Sequence, residues 1–246
     1  LGGYYTGING WEFSVEGYYK DMRNVLEYKD GVSFFGSSSG WENKVEMGKG
    51  RSAGIEFMAQ KTAGKTTGWL SYTLSKSDRK FTKGGINNGE WFPYKYDRRH
   101  SINLTINHKF SDRIDIGASW VFYTGGTSTI PEEKTTVIRP HNGANNGFLW
   151  YGTYDNTNSS PTIGDVSYIE HRNNFRLPAS HRLNLGVNFN KKTKHGMRTW
   201  NISLYNAYNA MNPAWVYRGH NKQGLSVIKK YTLLPLIPSF TYTYKF

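Results

Sequence analysis

The feature that most constrains this chain is an alternation of apolar and polar residues with a period of two, repeated along most of its length. Successive side chains of a β-strand point to opposite faces, so each alternating segment predicts a strand with one apolar and one polar face. Most of the segments run about nine to eleven residues, longer than the five or six usual in soluble sheets and enough to cross a bilayer at a tilt. The predicted strands lie at 11–19, 54–60, 67–75, 101–109, 113–123, 182–190, 199–206 and 238–246.

The last of these segments, PSFTYTYKF, shows the alternation most plainly. Aromatic residues stand at every second position, namely Phe240, Tyr242, Tyr244 and Phe246. Tyrosine rings are apolar in body and polar at the tip, which suits a boundary between lipid and water. We therefore expect this aromatic face to contact lipid and the opposite face to line a lumen. The same lipid-facing orientation is expected for Leu104, Ile116, Leu185 and Ile202.

The connections between the predicted strands alternate between short and long. Short turns are expected at 62–66, 110–113 and 191–198, and long loops rich in Gly, Asn, Ser and Tyr at 21–50, 78–98, 124–180 and 210–224. Outer-membrane barrels have this pattern, with short turns in the periplasm and long loops outside the cell. Only a helix or a closed barrel pairs every backbone group within hydrocarbon. The sequence therefore predicts an all-β, antiparallel transmembrane β-barrel.

The number of strands favours an incomplete barrel. Counting 2–6 as the end of one more strand, the chain contains about nine strands, whereas single-chain bacterial barrels have even numbers. If the last strand runs toward the periplasm, the first must do so too, and the chain would begin outside the cell in mid-barrel. We therefore interpret residues 1–246 as the C-terminal part of a larger barrel.

The composition is consistent with a sheet that has one apolar face and one polar, hydrated face. Hydrophobic residues make up 37% and aromatic residues 16% of the chain, and its mean hydropathy is −0.66. The net charge of +13 is typical of a solvated or lumenal surface, and contact with anionic headgroups or capture of an anionic ligand is the alternative. Nucleic-acid binding is not predicted, because the chain lacks a compact basic motif. The absence of cysteine excludes disulfides and thiolate metal sites.

The sequence contains no convincing catalytic or cofactor motif. The stretch AQKTAGKT (59–66) approaches a phosphate-binding loop, but Ala59 replaces the first glycine and Gly64 fits a hairpin turn between two strands. Neither G-x-S-x-G nor H-E-x-x-H occurs, and the seven histidines lack metal-ligand spacing. The adjacent Glu132 and Glu133 fit a solvated loop. We predict no enzyme, no cofactor and no metal site.

Several stretches together resemble TonB-dependent outer-membrane receptors, over nearly the whole chain. They are EGYYKDM (16–22), GKGRSAGIE (48–56), GWLSYTLS (68–75), INNGEWFP (86–93), RNNFRLPASHRLNL (172–185), LYNAYNAMNP (204–213) and IPSFTYTYKF (237–246). The resemblance is greatest to the branch with a carboxypeptidase-regulatory-like N-terminal domain, which is related to the SusC-type transporters.

The resemblance implies a 22-stranded barrel around a plug, of which this chain supplies about the last nine strands. It implies an integral protein of the bacterial outer membrane, in contact with lipid and lipopolysaccharide, that imports a bulky nutrient such as a glycan, peptide, vitamin or iron chelate. The plug and the N-terminal region that contacts the TonB complex are not found in this sequence. A surface lipoprotein is a further candidate partner. A scaffold within an outer-membrane assembly and a passive porin are the alternative functions.

Two groups of aromatic residues are candidate functional sites. Long loops that carry aromatics among Asn and Gly are typical of recognition surfaces, although packing between loops is the alternative. The candidate ligand-binding residues are Trp91, Tyr94, Trp150, Tyr151 and Tyr154. The resemblance also implies that the row Phe240, Tyr242, Tyr244 and Phe246 is the signal that the barrel-assembly machinery recognises. The alternative is that this row belongs to the aromatic girdle.

Overall fold

The computed structural model describes residues 1–30, 40–82, 86–139 and 162–246, and nearly all of them form antiparallel strands or their connections. The strands are β1 Gly2–Tyr5, β2 Trp11–Tyr28, β3 Val45–Lys61, β4 Thr66–Lys80, β5 Phe92–Pro93, β6 His100–Lys109, β7 Ile114–Tyr123, β8 Thr127–Ser128, β9 Glu133–Arg139, β10 Thr162–Tyr168, β11 Phe175–Arg176, β12 Ser180–Thr193, β13 Gly196–Tyr205, β14 Pro213–His220, β15 Ser226–Thr232 and β16 Ile237–Lys245. Two single-turn 3₁₀ helices, Trp41–Lys44 and Asn87–Gly89, interrupt the connections. Within these ranges no helix is both long and apolar enough to span a membrane.

One large sheet contains all the predicted strands in chain order. Its neighbours run β1-β2-β3-β4-β6-β7-β12-β13-β16, and the short β5 pairs with the end of β4. The prediction of about nine antiparallel strands is therefore confirmed. In the described ranges β1 and β16 stand at opposite ends of this order and do not pair, so the sheet is open.

The register brings the apolar rows of neighbouring strands onto one face. Residues directly opposite each other in an antiparallel pair share a face, and Ile116 lies opposite Val187, which lies opposite Ile202, which lies opposite Phe240. Leu104, Leu185 and Tyr242 fall on the same face, as predicted. Leu185 is 37% and Ile202 50% exposed, so nothing in the described chain covers this apolar face.

The opposite face carries a continuous network of polar side chains. Asp115 on β7 accepts hydrogen bonds from the amides of Asn188 and Asn190 on β12, both at 2.7 Å. Thr199 on β13 donates to the Asn190 carbonyl oxygen and Asn201 to that of Asn188, again at 2.7 Å. Because the polar groups satisfy one another, this face is suited to a lumen rather than to hydrocarbon.

The connection between β2 and β3 differs from its predicted extent because both strands continue into it. The predicted loop 21–50 is shorter, since β2 runs on to Tyr28 and β3 begins at Val45. Asn24 adopts a positive φ of 56° and the register shifts between Arg23 and Val25. This bulge inserts one residue into β2, so the apolar and polar positions exchange faces beyond it. The last part of the strand therefore cannot be recognised in the sequence from a period of two.

Other predicted loops also contain strand. The turn 191–198 reduces to residues 194–195, because β12 extends to Thr193 and β13 begins at Gly196. The loop 78–98 loses its first residues to β4, which reaches Lys80. The loops 124–180 and 210–224 contain β8–β11 and β14, and β14 forms a hairpin with β15. A bulge in β14 and consecutive lysines in β15 obscure the alternation of this hairpin.

Short and long connections alternate, as predicted, and therefore separate to opposite ends of the sheet. Short turns join β1 to β2, β3 to β4, β6 to β7 and β12 to β13, whereas the remaining connections of the main sheet are long. Gly64 lies in the β3–β4 turn with φ of 94°, which confirms the hairpin interpretation of the stretch 59–66.

Asn206 fixes the root of the long connection from β13 to β16. It is 1% exposed and adopts a φ of 54°, a conformation that asparagine tolerates. Its backbone N–H donates to the Asn184 side chain, and its side-chain amide donates to the carbonyls of Ala210 and Leu234 at 3.0 and 3.1 Å. One buried side chain therefore holds both ends of the segment that carries the β14–β15 hairpin.

The apolar face yields a direct test of the predicted lipid contact. We expect Leu104→Arg to lower the free energy of unfolding by about 2–4 kcal/mol, because Leu104 lies near the middle of β6, where a lipid-facing charge is most costly. Thr105→Arg is the matched control, since the neighbouring side chain points to the polar face and should cost less. Urea unfolding of the full-length protein in lipid vesicles measures both changes. Equal costs would contradict the assignment of the two faces.

Candidate functional site

The long connections meet in a layer that is held together by one segment, residues 172–178, which we call the crossing segment. Arg176 donates hydrogen bonds to the Asp97 carboxylate, to the Asp97 carbonyl at 2.7 Å and to the Gly125 carbonyl at 2.9 Å. The Asp97 side chain is fully buried; it also accepts the Ser77 backbone N–H at 2.7 Å and pairs with Arg99 at 3.2 Å. Asp97 therefore joins the crossing segment to β4 and to the start of β6.

The other end of the crossing segment is anchored by Arg172. Its guanidinium pairs with Asp30 at 2.7 Å and with Glu27 at 3.3 Å, and its backbone N–H donates to the Asn87 side chain at 2.7 Å. Glu27 also pairs with Arg79 at 3.2 Å. These contacts join residues from three separate connections, so their ends are fixed relative to one another.

A small apolar core lies in the same layer. Phe81 and Ile86 are fully buried and Phe92 is 2% exposed, and the rings of Phe81 and Phe92 stack at 6.0 Å. Val25, beyond the bulge of β2, packs against this cluster. The main buried apolar side chains of the described chain thus stabilise the connections, while the faces of the sheet remain uncovered.

The predicted ligand-binding residues Trp91 and Tyr94 each have a ring covered by arginine. The Arg79 guanidinium lies 3.6 Å from the centre of the Tyr94 ring, and that of Arg51 lies 4.3 Å from the Trp91 ring. Cation–π contacts of this kind hold loops in place. Trp91 is still 38% exposed, so ligand contact by these two residues stays a prediction. The other three candidates, Trp150, Tyr151 and Tyr154, lie outside the described residues.

A cavity of about 530 Å³ opens between the connections, close to the crossing segment. It lies within the usual volume range of ligand sites. Its wall includes Lys95, Tyr96, Arg98, Tyr123 and Trp215, together with residues 125–128, 177, 178 and 180. The sequence did not reveal this site, because its residues come from four parts of the chain that only the fold brings together.

Both cations in the described wall of this cavity rest on aromatic rings. The Arg98 guanidinium lies 3.9 Å from the centre of the Tyr123 ring, and the Lys95 ammonium lies 5.2 Å from that of Tyr96. Trp215 stacks on Tyr231 across the β14–β15 hairpin, with ring centres 4.2 Å apart and planes within 8°. The arrangement can bind a small molecule, and the described wall of the cavity contains no nucleophile with an adjacent base. Within the described ranges no three His, Asp or Glu residues are placed to hold a metal ion.

The candidate assembly residues form one exposed row along the sheet edge. Phe240 and Tyr242 pack their rings against Trp200 of β13, at 5.0 and 4.5 Å, and Tyr244 contacts Phe246 at 6.3 Å. Phe240 is 65% exposed, and among the described residues β16 pairs with a strand on one side only. This geometry is compatible with the predicted recognition and with a girdle, so the assembly role stays a prediction.

The buried carboxylate of Asp97 is expected to control the position of the crossing segment. Asp97→Ala would leave Arg176 without its anionic partner, and breaking such a pair costs several kcal/mol. We expect amide hydrogen exchange in 172–178 to accelerate about 100-fold or more. Asp112→Ala is the control, because its pair with Lys109 is exposed and should matter little. Unchanged exchange in the Asp97 variant would show that the segment is held by other contacts.

Comparison with known proteins identifies the family. No individual curated protein matches the chain. The family model described as "TonB dependent receptor-like, beta-barrel" matches residues 1–219, which is most of the chain. Proteins of this family are outer-membrane transporters that work with TonB, and they are not enzymes. With its antiparallel, two-faced sheet and alternating connections, the chain belongs to the TonB-dependent receptor-like β-barrel family.

Proposed function

We propose that this chain is part of an active transporter that imports a bulky nutrient across the bacterial outer membrane. The observation that supports this most is the separation of the two ends of the sheet. The described parts of the long connections lie at one end, where arginine–carboxylate pairs and a 530 Å³ cavity occur, and the short turns lie at the other. In barrels of the outer membrane, long loops face outward, so the cavity would face the nutrient.

The open edges of the sheet favour a larger barrel. The outer edges of β1 and β16 present backbone groups that lack strand partners among the described residues. Such groups must be paired within hydrocarbon. Further strands of the same receptor, to about 22 by resemblance, would close the sheet around a plug. In this proposal residues 1–246 form the C-terminal part of that barrel.

The resemblance to the SusC-related branch adds a candidate partner. A surface lipoprotein that covers the loop end would contact the same connections as the nutrient. The layer fixed by Asp97 and Arg172 offers a firm base for such a contact. A scaffold role without transport would use this surface too, so the test below separates the two functions.

Dependence on TonB provides the test of transport. A strain that lacks the full-length receptor, and a strain that lacks TonB, are compared with the parent for uptake of glycans, peptides, vitamins and iron chelates. We expect one nutrient class to be lost in both strains. Uptake that requires the receptor but not TonB would indicate a passive porin. Loss of an associated lipoprotein from the membrane with every uptake unchanged would indicate a scaffold.

For the edge strand β16, we propose recognition by the barrel-assembly machinery. An unpaired strand edge can be extended by β-augmentation while alternate side chains occupy pockets. We expect Phe246→Ala to reduce the yield of heat-modifiable receptor in the outer membrane, with the unfolding of assembled receptor unchanged. Phe110→Ala is the control, because Phe110 is an exposed aromatic at a short turn, beside His108. Equal yields in both variants would assign Phe246 to the girdle.

A further inference from the structure

Most arginines in the layer of connections are neutralised by carboxylates. Such pairs join Arg51 to Asp78, Arg79 to Glu27, Arg99 to Asp97, Arg172 to Asp30 and Arg176 to Asp97. Arg98 is an exception and the neighbouring Lys95 behaves in the same way: in the part of the chain that the structure describes, the two side-chain charges contact only aromatic rings. Both side chains are exposed, so neither is needed to satisfy a buried acid.

The two unneutralised cations lie in the wall of the same cavity. Its described wall contains no aspartate or glutamate, so two positive charges face the 530 Å³ space without a counter-charge. Like charges held in a cleft with low-dielectric walls focus the field and concentrate ions of the opposite sign. The cavity is therefore electrostatically complementary to an anion.

A third cation extends the positive surface along the polar face. Tyr123 pairs with Ser180 in register, which makes Arg182 its diagonal neighbour, at about 7–8 Å between backbones. The Arg182 guanidinium lies 4.3 Å from the centre of the Tyr205 ring and donates to the Tyr205 hydroxyl. Its Nε is buried and has no hydrogen-bond partner among the described residues. An unsatisfied buried donor is uncommon and favours an additional acceptor at this position.

The aromatic part of the wall indicates the shape of the ligand. Lys95 and Arg98 lie over the rings of Tyr96 and Tyr123, and the Trp215 ring stacks parallel to that of Tyr231. Rigid aromatic rings bind planar or flat-faced molecules at low entropic cost. A ligand that satisfies both features would combine an anionic group with a flat apolar face.

We propose that this cavity binds a small molecule that carries a carboxylate or sulfate and presents a flat face, as aromatic acids and acidic sugars do. Arg98 and Lys95 hold the anionic group, and Tyr96 and Trp215 contact the flat face. Where the bound molecule is the imported nutrient, this inference rests on the proposed transport function. Binding itself requires neither TonB nor an energised membrane.

The test uses the purified full-length receptor in detergent, titrated by calorimetry with two matched pairs of probes. The pairs are 4-hydroxybenzoate with 4-hydroxybenzamide, and glucuronate with glucose, so that each arm changes the charge and keeps the shape. We expect at least one anionic probe to bind about tenfold or more tightly than its neutral counterpart, and to weaken as salt is raised. The arm that binds distinguishes an aromatic acid from an acidic sugar.

Variants locate the binding to this cavity. Arg98→Gln and Lys95→Gln should each weaken the anionic probe about tenfold, because each removes a charge-assisted contact. Arg113→Gln and Lys65→Gln are the matched controls, since they make the same charge changes in exposed short turns at the other end of the sheet, and they should change affinity less than twofold. Equal affinity for charged and neutral probes, no binding of either anion, or an unaffected Arg98 variant would overturn the proposal. Anion binding without TonB-dependent uptake would support it and contradict the transport function alone.

Discussion

The register of nine antiparallel strands is the constraint on which the rest of the structure depends. Because side chains alternate with a period of two, a slip of one residue in any strand would exchange its two faces. Asp115, Asn188 and Asn190 would then lie among the apolar residues of the neighbouring strands, where their polar groups would have no partners. The register is therefore fixed from both faces of the sheet. The amide network across β7, β12 and β13 fixes it on the polar face, and the rows of apolar residues fix it on the other.

Much of the sheet could be predicted from the sequence, because strand alternation is a local signal. The predicted strands at 101–109, 113–123 and 238–246 differ from β6, β7 and β16 by no more than one residue at either end. The failures have local causes as well. The bulge at Asn24 reverses the alternation of β2, and the β14–β15 hairpin combines a bulge with exposed charges. A period-two pattern cannot show a strand through an inserted residue.

The candidate site could not be predicted in the same way, since it depends on contacts between distant parts of the chain. Arg172 pairs with Glu27 across 145 positions, and Arg176 with Asp97 across 79. Nothing in the sequence near Arg98 distinguishes it from Arg99. Among the described residues, however, the Arg98 guanidinium contacts only the ring of Tyr123, whereas Arg99 pairs with the buried carboxylate of Asp97. Aromatic composition drew attention to the loop around Trp91 and Tyr94, whose contact with a ligand stays a prediction, whereas the cavity is lined by Tyr96 of the same loop.

The length of β2 has a mechanical consequence. Its 18 residues would extend about 60 Å at the usual rise of a strand, or about 42 Å along the normal of a membrane at a tilt of about 45°. This exceeds a hydrocarbon core of about 30 Å by roughly 12 Å, so part of the two-stranded ribbon formed by β2 and β3 lies outside the lipid. Arg172 is bound at the tip of this ribbon through Glu27 and Asp30. The layer of connections is therefore attached to a paired ribbon rather than to a free loop, which holds Arg172 at a set distance from the membrane-spanning part of the sheet.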